Sequence, residues 1–111
     1  MILNVVISDN SIPINVPDAI ITEAAEFFDK LDADMEKGWQ VGREWVDKLN
    51  IEQRCQVVAD KMLTALENEN QQVSVMMAAY ILNRVPGIKG VRTAINGEIN
   101  ETELLMDRSQ F

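Results

Sequence analysis

Apolar and polar residues alternate over residues 1–16 and then recur every three or four positions, and this change of period divides the chain. A two-residue loop at Asp9-Asn10 would set Ser8 against Ser11, Ile7 against Ile12, Val5 against Ile14 and Leu3 against Val16. That register gathers six aliphatic side chains on one face of a hairpin and leaves Ile2, Asn4, Val6, Pro13 and Asn15 on the other. Pro13 has no N–H to give to a ladder, so the second strand is expected at a sheet edge or with its missing donor turned outward.

Pro17 and Asp18 suit a helix start, because proline is tolerated in the first turn and an early acid complements the helix dipole. Ile20, Ala24, Phe27, Phe28, Leu31 and Met35 then fall within an arc of about 120° at 100° per residue, which predicts one core-facing helix ending at Gly38. Val41, Trp45 and Leu49 follow at i, i+4, i+8 and predict a second short helix with Trp45 as its core tryptophan. Asn50 and Gln53 form a capping-box variant, so a further helix should run from Ile51 to Glu67. Its stripe is Cys55, Val58, Ala59, Met62, Leu63 and Leu66; Glu52, Gln56, Asp60, Lys61 and Glu67 form its solvent face. Asn70 caps a last helix that is apolar around most of its circumference.

Pro86-Gly87 stops that helix, and Gly87-Ile88-Lys89-Gly90 reads as a turn rather than a phosphate loop, lacking a Lys-Ser/Thr ending. Asn96-Gly97 between two extended-looking segments predicts a hairpin that pairs Arg92 with Glu101 and Ala94 with Ile99. The competing reading is a short helix capped by Asn100 and running through Leu105. Residues Asp107 to Phe111 are expected to fray. The fold expected is α+β and mostly helical, in a single domain over 1–111. A β-hairpin (1–16) and a C-terminal hairpin (86–111) would form one small antiparallel sheet packed on three to four central helices (17–85).

Composition changes this picture mainly by exclusion. Eighteen acids against ten bases give a net charge of −8, which argues against nucleic acid and anionic lipid surfaces as partners. There is no histidine, the commonest general base and zinc ligand. The one cysteine, Cys55, permits no internal disulfide and has no imidazole to activate it, so it reads as a small core residue. The serines lack a nucleophile-elbow pattern. The apolar opening lacks the basic leader of a signal sequence, no apolar run approaches the length of a bilayer span, and a cytoplasmic protein is expected.

Three places carry candidate chemistry. Asp29, Asp32 and Glu36 lie within about 60° of arc beside the apolar stripe, and such carboxylates could hold Mg²⁺ or Mn²⁺, with Glu44 and Asp47 as facing acids. Trp39 and Arg43 are residue types enriched at interface hot spots, and Arg43 could stack over the Trp39 indole. Met76, Met77 and Tyr80 form a soft patch on the most apolar helix, which would need a second subunit to cover it. The function expected is a non-enzymatic protein-interaction or regulatory module, homodimeric, without a cofactor or catalytic residue. It would bind a protein partner through Trp39, Arg43, Met76, Met77 and Tyr80. The alternative is a divalent-metal hydrolase of a small phosphorylated molecule, working through Asp29, Asp32 and Glu36.

Overall fold

The computed structural model describes residues 1–94, 96 and 98–106. Strands β1 (Ile2–Ile7) and β2 (Asn10–Asn15) form the expected hairpin, but the turn sits at Ser8-Asp9, where Ser8 adopts a left-handed φ of 54°. Leu3 therefore opposes Ile14, Val5 opposes Ile12 and Ile7 opposes Asn10. The register differs by two residues from the one read in the sequence, and because side chains alternate with period two the same set stays on the inner face. Leu3, Val5, Ile14 and Val16 are buried there.

The sheet itself differs from expectation in topology. Its order is β2-β1-β5-β6, with β5 (Ile88–Arg92) lying parallel to β1 and antiparallel to β6 (Glu103–Met106). A wholly antiparallel sheet is thus overturned: the four-stranded sheet is mixed. The residues between β2 and β5 supply the long crossover that a parallel pair requires. Residues 87–90 are not a turn throughout, since Gly87 turns at φ 87° and Ile88 already begins the strand. Arg92 pairs with Glu103 rather than Glu101, because a 3-10 turn at Ile99–Glu101 lengthens the connection. Neither the tight hairpin nor the helix through Leu105 forms. Ile95, Gly97 and the tail expected to fray, 107–111, lie outside the described residues. Pro13 lies on the edge strand β2, as its missing donor demands.

The first predicted helix is two, α1 (Asp18–Glu23) and α2 (Ala25–Met35), with the break at Ala24. In an unbroken helix the Ile21 carbonyl would accept from Ala25; here the Asn83 side chain donates to it at 3.1 Å. Helix α3 (Ile51–Glu67) has both arms of its capping box, Asn50 accepting from the Gln53 N–H at 2.8 Å and Gln53 accepting from the Asn50 N–H at 3.0 Å. Helix α4 (Gln71–Arg84) starts with the Asn70 side chain accepting from the Val73 N–H.

The second short helix does not exist. Its residues form a separate two-stranded sheet, β3 (Trp39–Val41) and β4 (Glu44–Val46), joined at Gly42-Arg43. Gly38 at φ 93° and Gly42 at φ 64° hold left-handed conformations that end a helix and turn a hairpin. The i, i+4 spacing of Val41 and Trp45 is a coincidence of strands two residues apart.

The core joins the inner sheet face to α2, α3 and α4. Packing of α1, α3 and β2 against α4 covers most of its circumference within the one chain, which removes the packing argument for a second subunit there. No helix among the described residues is long and apolar enough to cross a membrane.

The parallel pairing rests on a close approach. A Cβ at Gly90 would stand 2.3 Å from the Asn4 carbonyl oxygen, a backbone atom that cannot swing aside. Gly90→Ala is expected to lower unfolding free energy by about 1–3 kcal/mol, read by urea denaturation, as overpacking does elsewhere. An unchanged midpoint would contradict the tight pairing.

Candidate functional site

Of the three carboxylates expected to share one face, the structure singles out Asp32. Its Oδ1 accepts from the Tyr80 hydroxyl at 2.5 Å and meets Arg54 at 3.0 Å, while its Oδ2 meets Arg84 at 2.7 Å. Arg84 also reaches Asp29 at 3.6 Å and donates to the Asn83 side chain at 2.6 Å. Its guanidinium lies 5.2 Å from the Tyr80 ring centroid and 5.7 Å from that of Phe28. Both Asp32 oxygens are thus taken by cations and a phenol where a metal would have to bind. Asp29 is exposed and Glu36 lies on the surface. Glu44 and Asp47 belong to the β3–β4 hairpin region, and Asp47 accepts from the Trp45 indole N–H instead. Among the described residues no group of three Cys, Asp or Glu side chains is placed to hold a metal ion.

The cluster sets the electrostatics of its neighbours. Burial pushes the Asp32 carboxyl up, but the bonds from Tyr80, Arg84 and Arg54 outweigh it and hold the group below its ordinary value. Tyr80 is pushed up by burial and by its bond to the Asp32 carboxylate. Burial, with Asp32 nearby, pushes the Cys55 thiol up to about 12. Cys55 is fully enclosed and stays a thiol at neutral pH, which leaves it no nucleophilic form.

The tryptophans exchange the places expected of them. Trp39 is half-buried against the core, with the Lys61 ammonium 4.8 Å from its ring centroid, where the sequence suggested Arg43. Trp45 is the exposed one, at 60%, rather than a core residue. Strand alternation accounts for the exchange: Trp39 and Val41 point inward with Val46, while Gln40 and Trp45 point outward. The Trp45 ring lies over Gly38, close enough that a Cβ there would come within 2.8 Å of it, and its N–H donates to Asp47 at 2.9 Å. Arg43 stands at the hairpin tip, almost wholly exposed, 3.7 Å from Glu98. On the face opposite Trp45, the hairpin borders a 360 Å³ cavity lined by Val41, Arg43, Glu44, Val46, Gln53, Glu98 and Asn100.

The patch expected on α4 is divided. Met77 and Tyr80 are buried in the core and unavailable to a partner. Met76 is half-buried and borders a groove with Pro17, Ile20 and Val75. Sequence reasoning also missed Gln56, assigned to solvent. It is buried, and its amide donates to the carbonyls of Thr102 at 3.0 Å and Asn100 at 3.3 Å. Only long-range contact reveals Gln56 and the arrival of Arg54 and Arg84 at Asp32; the alternation of Trp39 and Val41 between two glycines was the local sign for the hairpin. Comparison with protein-family models, curated proteins and solved structures finds no match for this chain.

Asp32→Asn leaves two guanidinium groups without their shared carboxylate, and is expected to cost about 3 kcal/mol at neutral pH. Because the folded-state pKa of Asp32 lies below its unfolded value, its contribution is present above the unfolded pKa and is lost as pH falls through the folded one. The stability gap between parent and variant, from urea titrations across the acid range, should therefore close below about pH 4. A gap that persists undiminished in strong acid would show that charge is not its source.

Proposed function

We propose that the chain is a non-enzymatic protein-interaction module whose contact surface is the outer face and tip of the β3–β4 hairpin. The observation that carries this reading is the Trp45 indole, exposed yet fixed over Gly38 and tied to Asp47. A large apolar ring already held in one orientation loses little rotamer entropy on docking, and Trp and Arg are the side chains most enriched where binding energy concentrates. Arg43, a few residues away at the turn, adds a charge-bearing fork to the same projection.

The reading revises the surface inferred from the sequence by exchanging Trp39 for Trp45 and dropping Met77 and Tyr80. Self-association through this hairpin is part of it, since two copies could bury their Trp45 rings against each other. Metal-dependent hydrolysis has no support from Asp29, Asp32 and Glu36, which do not converge.

Trp45→Ala and Arg43→Glu, singly and together, test the proposal by quantitative capture and by light scattering of the purified protein. Partners or dimers formed by the parent should be lost from the double variant while its thermal midpoint stays near that of the parent. Retention of every associated species by a folded double variant would overturn the hairpin as the contact surface.

A further inference from the structure

The sheet has two edges, and they are not equally protected. β2 carries Pro13, whose missing N–H blunts strand addition. β6 contains neither proline nor lysine, and among the described residues it pairs only with β5. Beside it opens a cleft of about 660 Å³ whose walls are the first turns of α3, at Glu52 and Gln56, and β6 itself, at Glu103 and Leu104. No residue of β5 lines that cleft, which lies between α3 and the edge segment 100–104. The two Gln56 bonds to the carbonyls of Asn100 and Thr102 pin the chain just before β6 onto α3 and fix the position of the edge.

We propose that the β6 edge and this cleft receive an extended basic peptide segment of a partner protein, added as a fifth strand. Backbone pairing along Glu103–Met106 would supply affinity that does not depend on sequence, as in other cases of strand addition. Selectivity comes from charge. Glu52, Glu101 and Glu103 line the cleft with no Lys or Arg among its lining residues, on a chain of net charge −8, and the one cation bound to them, Arg92 at 3.1 Å from Glu103, belongs to an exposed pair that a basic side chain can replace. Lys or Arg side chains that the incoming strand turns toward α3 would meet Glu52, and those turned to the other face would meet Glu103, whereas an acidic segment, or a second copy of this acidic chain, meets repulsion. The proposal is independent of the Trp45 surface.

The test uses the full chain and three fluorescein-labelled peptides: one alternating Lys and Val, one alternating Glu and Val, and the Lys-Val peptide with alternate backbone nitrogens methylated. Only the unmethylated basic peptide should bind, with amide resonances of Glu103–Met106 moving in ¹⁵N spectra. Glu103→Lys should weaken that binding several-fold. The variant gives up only the exposed ion pair with Arg92, so its fold is retained. Trp45→Ala should bind the peptide as the parent does. Equal binding of the methylated peptide, shifts confined to other elements, absence of binding at millimolar peptide, or a dimer closed through β6 would each overturn the proposal.

Discussion

Strands β1 and β5 meet through one contact that tolerates no side chain. Gly90 on β5 lies against the Asn4 carbonyl on β1, and a single added carbon would force these strands apart. Everything on the inner side of the sheet follows from that approach. It brings Val91 level with Val5, lets both be fully buried over the helices, and carries β6 to the outer edge. The sheet thereby becomes a floor with one covered face, and its other face, with Ile2 and Asn4, stays open to water.

Above that floor, the helices are oriented by a single carboxylate. Asp32 from α2 is held by Arg54 from α3 and by Tyr80 and Arg84 from α4. A largely enclosed ion pair gains little over apolar packing, yet losing one partner is expensive, so the cluster ties the three helices together chiefly through the cost of breaking it. The acids that looked like metal ligands in the sequence are thus divided between this structural task and the solvent.

Elements whose signals are local were legible. The reciprocal Asn50 and Gln53 bonds, the Asn70 cap, the edge position of Pro13 and the inner face of the first hairpin all follow from neighbours within a few residues. Elements decided at a distance were not. Nothing near residue 90 announces a partner strand some eighty-five positions earlier, and residues 88–92 carry no alternation strong enough to separate strand from turn. Residues 39–46 failed for a different reason: the spacing of Val41 and Trp45 matches a helix, and two glycines at positive φ overrule it. That one misreading turned the tryptophans around, and with them the candidate site. Gln56 was misplaced because amphipathic reasoning assigns amides to water unless a carbonyl from elsewhere is known to be waiting.

The order of strands also governs how the protein can be made. β1 is central in the sheet, and its second neighbour, β5, follows only after four helices and the β3–β4 hairpin. Closing so long a loop adds little to the equilibrium cost, since that cost grows only with the logarithm of length, but it delays the step. Until β5 is present, β1 lacks its parallel neighbour, and Leu3, Val5 and Val16 lack the packing that encloses them in the finished fold.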